Sequence, residues 1–214
     1  ESGMYISSND GLSWQVFQLN LPIVPITDLT IKNDNLIAAT QGRGLWIIDD
    51  LSLVRQASSV NKNQDVIFYK PADTYRMNGF QRKNTKGAGT NHPGGVTSFY
   101  YLKDYDSEKD TLTFTYLTMA DDTIRHFSTH SKEKDTQLKD IKAGSNKHHW
   151  NMSYGPAKKF DGMIFWWGSL NGAKAVPGNY QVQLTVGDEV READFKILKD
   201  PRSPSTADDF KAQF

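Results

Sequence analysis

Trp166 and Trp167 lie side by side between Phe165 and Gly168, and no other side chains in the sequence are better equipped to hold a ligand. Indole faces stack on sugar rings, and a neighbouring glycine lets a backbone come close. If this run is a strand, alternation sends one indole into a core and leaves the other for a seam between domains. The rest of the chain offers little chemistry. His148 and His149 are adjacent, so on a strand they face opposite sides and cannot bind one metal together; two partly exposed imidazoles are expected. Asp104, Asp106, Glu108 and Asp110 gather oxygens that would suit Ca2+, but Lys103 and Lys109 flank them and the glycine-turned calcium loop is missing. That segment reads as a solvated turn. Asn151-Met152-Ser153 matches a glycosylation acceptor, which matters only in a eukaryotic secretory host. No motif singles out a pair of carboxylates, so no catalytic residue is assigned, and neither a metal nor a cofactor is expected.

Composition narrows the classes further. The 214 residues carry 25 Lys plus Arg against 25 Asp plus Glu, so no basic excess exists to drive binding to a nucleic acid. Cys is absent, which removes disulfides, thiolate chemistry and Cys-type zinc sites together. Hydrophobic residues make up 37% and charged ones 23%, the proportions of a folded chain with a core. No apolar run reaches the roughly 18 residues of a membrane span. The opening Glu1-Ser2-Gly3-Met4 is no signal peptide, although a mature chain would have lost one.

The elements that must position these residues are mostly strands. Period-two alternation is clearest in Tyr180-Gln181-Val182-Gln183-Leu184-Thr185-Val186. Short strands are also predicted at 4–6, 14–17, 28–31, 36–39, 45–48, 66–71, 96–102, 111–117, 124–128 and 193–198, between Asn, Asp and Gly turns. Helical spacing appears only at 50–56 and in the tail, where Ser205-Thr206-Ala207-Asp208-Asp209 begins a capped helix. Ser58, Ser59, Asn61, Lys62 and Asn63 interrupt the apolar pattern and mark 57–64 as a linker. The stretch Asn78 to Gly95, with five Gly and three Asn, reads as a long excursion inside the second domain.

Gly3-Met4-Tyr5-Ile6-Ser7 returns as Gly44-Leu45-Trp46-Ile47-Ile48, a spacing of 41 residues. A strand-built repeat near 40 residues suggests propeller blades. The first turn, Ser7-x-Asn9-x-Gly11-x-Ser13-Trp14, resembles the Asp box of bacterial neuraminidase repeats, with Asn9 in place of Asp and Ser13 in place of Thr. Its role is that of a turn staple: Asn9 accepts backbone N–H groups, Gly11 supplies the permissive backbone and Trp14 covers the hairpin from the core. Gln41-Gly42-Arg43-Gly44-Leu45-Trp46-Ile47-Ile48-Asp49-Asp50 resembles the last-blade motif of sortilin-like and glycosyl-hydrolase-like repeat propellers, with Gln41 where His is common. Successive turns of a meander lie at opposite ends, so Arg43 is expected on the face away from the Asp box. There its guanidinium could meet a carboxylate or sugar oxygens, though pairing with Asp49 or Asp50 is the preferred reading.

Farther along, Gly144-Ser145-Asn146 and Trp150, then Pro177-Gly178-x-Tyr180, resemble the Ig-like module that follows such propellers in bacterial secreted proteins. Pro177-Gly178 fits a type II turn, with Tyr180 laying its ring on the core. The resemblance implies an all-β chain: the end of a propeller at 1–56, a linker at 57–64, an Ig-like sandwich at 65–199 and the start of a C-terminal helix at 200–214. Residues 1–56 would then pack on the sandwich or be completed by the remaining blades of the same polypeptide. It also implies a non-catalytic binding or scaffolding region, secreted or periplasmic, contacting carbohydrate or protein through Arg43, Trp166 and Trp167. The alternative is the accessory tail of a glycosyl-hydrolase-like enzyme whose carboxylates lie in other blades.

Overall fold

The protein is described by a computed structural model covering residues 3–61, 63–77, 89–90, 93–158, 160–164 and 166–214. Within these residues it is all-β apart from two short helices. It divides into two compact units, Glu1–Asn61 and Lys62–Phe214.

In the first unit β1 (Tyr5–Ile6) pairs antiparallel with β2 (Gln15–Val16), while β3 (Ile26–Lys32), β4 (Asn35–Thr40) and β5 (Leu45–Ile48) form a three-stranded antiparallel meander. A type of turn that needs positive φ joins β3 to β4, and Asn33 and Asp34 supply it, as short polar side chains can. Helix α1 (Leu51–Ser59) starts at Asp50, whose carboxylate accepts from the Ser52 backbone N–H at 3.0 Å. Because α1 runs to Ser59, the predicted linker loses its first three residues to a helix. The core here is small: Met4, Leu21 and Ala38 are buried, with Phe17, Ile26, Leu36 and Trp46 packed around them.

The second unit holds two sheets. One has the order β10-β9-β12-β13-β7, from β7 (Thr74–Tyr75), β9 (Leu112–Thr118), β10 (Thr123–Ser128), β12 (Gly178–Val186) and β13 (Glu189–Leu198). All its pairings are antiparallel except β7 with β13. The other has the order β11-β8-β6, from β6 (Val66–Phe68), β8 (Val96–Leu102) and β11 (Gly144–Trp150). Alternation puts Val96, Ser98, Tyr100 and Leu102 of β8 inward, against Leu112, Phe114 and Tyr116 of β9, Val182 and Leu184 of β12, and Phe195 and Ile197 of β13. Tyr116 stacks on Trp150 at 4.3 Å between ring centroids, and Tyr100 meets Phe114 edge-on at 5.3 Å. The Tyr116 hydroxyl keeps a partner, the Ser98 hydroxyl, at 3.3 Å.

One expectation is corrected here. Gly178 does not take the positive φ of a type II turn; it is the first residue of β12 and pairs with Ile197. In the tail α2 (Ala207–Gln213) carries a full capping box between Thr206 and Asp209 and buries Phe210. Of the glycine-rich stretch from Asn78 to Gly95, residues 78–88 and 91–92 lie outside the described residues. Gly95 itself is fixed by sterics, since a Cβ there would lie 2.4 Å from the Trp150 carbonyl oxygen.

Candidate functional site

The Trp pair belongs to no strand. The described residues between 152 and 175 form a long irregular hairpin whose two arms are tied at the neck: Tyr154 N–H donates to the Ala173 carbonyl at 2.9 Å, Ala157 N–H to Leu170 at 2.8 Å, and Ala175 N–H to Met152 at 2.8 Å. The arms approach so closely at Gly172 that a Cβ there would sit 2.3 Å from the Tyr154 oxygen. Glycine is thus required at that position. At the tip Met163 N–H closes a turn onto Phe160, with Gly162 at φ +79.

This tip is the most apolar exposed feature of the second unit. Trp166 is 86% and Trp167 96% exposed, with Ile164 and Phe160 exposed beside them. The expectation that one indole is buried in the sandwich core therefore fails within this unit. Its premise was strand alternation, and an irregular hairpin arm has none. Phe165 lies outside the described residues.

In the first unit the Ser7–Ser13 turn is a closed hydrogen-bonded loop. Asn9 Oδ1 accepts from the Ser13 N–H at 2.9 Å and from the Ser7 hydroxyl at 3.0 Å, Asn9 Nδ2 donates to Ser13 Oγ at 2.8 Å, and the Gly11 N–H donates to Ser7 Oγ at 2.8 Å. Gly11 has φ +87. Asn9 thus does the accepting that Asp would do, and adds a donor. The Trp14 ring does lie over the turn, 3.9 Å from where a Gly11 Cβ would be, but it is 64% exposed and so covers the hairpin from solvent and not from a core.

The turn before β5 is also glycine-built, with Gly42 at φ +79 and Gly44 at φ +73. Trp46 Nε1 donates to the Arg43 carbonyl at 3.0 Å, and the Thr40 hydroxyl to the Gly44 carbonyl at 2.6 Å. The Arg43 side chain is exposed and makes no ion pair among the described residues. Asp50, one of its expected partners, is occupied as the cap of α1, and Asp34 is paired with Arg55 at 2.7 Å. Within the first unit, Arg43 lies in the β4–β5 turn and the Ser7–Ser13 motif in the β1–β2 turn.

His148 is half-buried and His149 exposed, in line with two partly exposed imidazoles, but the surroundings of the His148 ring are aromatic. It faces inward from β11 opposite Ser98, stacked on Phe114 at 4.6 Å and edge-on to Phe127 at 4.6 Å, and its Nε2 is buried without a hydrogen-bond partner among the described residues. Burial, with His149 adding like-charge repulsion, pushes its pKa down to about 4. A neutral imidazole serves there as an aromatic partner of Phe114 and Phe127. His149 faces the other way, with Nδ1 3.2 Å from the Thr97 hydroxyl. The acidic turn spends its oxygens locally: Asp106 pairs with Lys109 at 2.9 Å and accepts from the Glu108 N–H, and the Lys109 ammonium holds its carboxyl below the usual range. Asp110 accepts from the Asp106 N–H at 2.7 Å. No group of three or more His, Asp or Glu with metal-binding geometry exists among the described residues, and no helix among them is long and apolar enough to cross a membrane.

Pro177, Gly178 and Tyr180 build structure. Tyr180 is buried, stacks on Phe195 at 5.9 Å and donates its hydroxyl proton to the Val176 carbonyl at 2.6 Å; burial pushes its pKa up to about 12. No family model, curated protein or solved structure matches this chain.

Proposed function

We propose that this chain is a non-catalytic binding and scaffolding region of a secreted or periplasmic bacterial repeat-propeller protein, and that the Trp166–Trp167 hairpin is its ligand contact, with a carbohydrate as the ligand. On this reading residues 1–56 are the end of a β-propeller, completed by further blades of the same polypeptide, and the second unit is an Ig-like sandwich. Several features support the propeller part. The meander β3-β4-β5 has the antiparallel order of a blade, the Gly3 and Gly44 pair of the 41-residue echo shares positive φ, and Leu29, Ile31, Leu45 and Ile47 are all more than half exposed, as strands awaiting neighbouring sheets would be.

The observation that carries the binding reading is the near-complete exposure of two adjacent indoles on a hairpin whose neck is hydrogen bonded and whose arms meet at an obligatory glycine. Such rings give large contact area with few rotatable bonds to order. Arg43, exposed and without an ion pair among the described residues, is a second and independent polar contact. The test is quenching of tryptophan fluorescence by a panel of neutral and acidic oligosaccharides. Trp167→Ala should abolish the quenching while leaving the melting temperature within about a degree, because a fully exposed side chain contributes little to stability. Absence of quenching across the panel in the unmodified chain would overturn the carbohydrate assignment.

A further inference from the structure

The Trp hairpin is held at its neck by a second set of contacts that comes from distant parts of the sequence. Arg76, just beyond β7, donates through Nε to the Ala175 carbonyl at 2.9 Å and through Nη2 to the Lys174 carbonyl at 3.4 Å, both on the returning arm. Its own backbone N–H is fixed to the Leu198 carbonyl at 2.7 Å, where β13 ends. The Lys174 ammonium answers by donating to the Met77 carbonyl at 3.3 Å. Over the other side of the guanidinium lies the Phe210 ring of α2, with 4.8 Å from the guanidinium carbon to the ring centroid. The last residue, Phe214, packs its ring against Tyr154 of the outgoing arm at 4.7 Å.

Arg76 and α2 together therefore grip both arms: the guanidinium takes 174 and 175, and the end of the helix takes 154. A seven-residue helix is too short to persist on its own in water. Its order comes from its Thr206–Asp209 cap and from these contacts.

We infer that Arg76 is a positioning residue and α2 a brace, which together fix the hairpin so that Trp166 and Trp167 are presented in one orientation. This rests on the reading of the tip as the ligand contact, and it adds that the C-terminal helix controls that contact from a distance. A guanidinium suits the task because it can donate in its plane to two carbonyls while offering its face to an aromatic ring; an ammonium cannot do both.

The experiment compares the unmodified chain with Arg76→Ala, Arg76→Lys, Phe214→Ala and a chain ending at Ser205. Hydrogen exchange is read at the neck amides of Tyr154 and Ala157, with amides of β9 and β12 as the control for the fold, and oligosaccharide quenching is read in parallel. In Arg76→Ala and in the shortened chain the two neck amides should exchange about tenfold faster while β9 and β12 keep their protection, and quenching should require severalfold more ligand. Arg76→Lys should fall between, and Phe214→Ala should loosen Tyr154 more than Ala157. Unchanged neck exchange in both Arg76→Ala and the shortened chain overturns the brace. So does loss of β9 and β12 protection in step with the neck in every variant, including the mild Phe214→Ala, since α2 would then belong to the common core. If no oligosaccharide quenches even the unmodified chain, the ligand reading fails, and neck exchange still decides the brace.

Discussion

Strands β3 and β8 are both seven residues long and both carry apolar side chains two apart, Leu29 and Ile31 in β3 and Tyr100 and Leu102 in β8, yet they have opposite fates. In β8 every inward residue is buried, whereas in β3 only Ile26 is even half-buried, and Leu29 and Ile31 face solvent. The difference extends to the units that contain them. The second unit closes two sheets over one continuous core that includes Trp150, Tyr116, Phe114 and Phe195. Among its described residues the first unit buries only Met4, Leu21, Ala38 and Leu51, and leaves Leu12, Trp14, Val16, Leu45 and Ile47 exposed. Alternation determines that a strand has an apolar face; it does not supply the surface that covers it.

The comparison breaks most readily at its large aromatic residues. Trp150→Ala should destabilise the second unit by about 3 to 5 kcal/mol, as deletion of a large core side chain does, while Trp14→Ala in the first should change stability by less than about 0.5 kcal/mol. Urea unfolding of the two variants checks the contrast, and equal costs would mean that Trp14 is covered in solution.

A somewhat smaller effect separates the units by pH. The folded-state pKa of His148 is depressed to about 4 from an ordinary 6.5, so between these values the unfolded chain binds a proton that the folded one refuses. Its contribution is fully present above pH 6.5 and is lost as pH falls towards 4, amounting to about 3 kcal/mol over that window. Unfolding measured at pH 7.5, 5.5 and 4.5 should show the slope, and His148→Phe should flatten it. The first unit contains no histidine, so its unfolding should lack this step.

Below that comes Gly172→Ala, which places a methyl group against the Tyr154 and Gly155 carbonyls at 2.3 and 2.4 Å. The neck must spread, at a cost of about 1 to 3 kcal/mol, visible as faster exchange at Tyr154 and Ala157. Smallest is Asn9→Ala in the Ser7–Ser13 turn. It removes an acceptor of two hydrogen bonds and a donor of one at an exposed site, worth about 1 kcal/mol, and should alter the melting of the first unit alone.

Legibility followed the same division. Most strand positions were readable because alternation and turn residues are local: 96–102 and 45–48 match β8 and β5 to the residue, whereas β11, with no alternating apolar residues, was not among them. Thr74–Tyr75 was invisible because two residues carry no period, and only the end of β13 makes them a strand. The turn at Ser7–Ser13 was readable as a hydrogen-bonded motif, whereas the place of Trp14 was not. The candidate site was half legible: the types of Trp166 and Trp167 named a chemistry, but the burial of one indole failed with the strand it presumed.

What this sequence settles by itself is local and periodic: an all-β chain without thiols, with no net charge, glycine and asparagine turns at fixed places and the capping box of its last helix. These depend on φ, on spacing and on side-chain donors a few residues apart. The tertiary structure alone decided that His148 is a half-buried neutral ring stacked on Phe114, that Gly178 lies in a strand, and that Arg76 reaches Lys174 and Ala175 across almost one hundred residues. Burial and long-range hydrogen bonds depend on which distant segments come together, and that information is spread over the whole chain and is carried by no single motif.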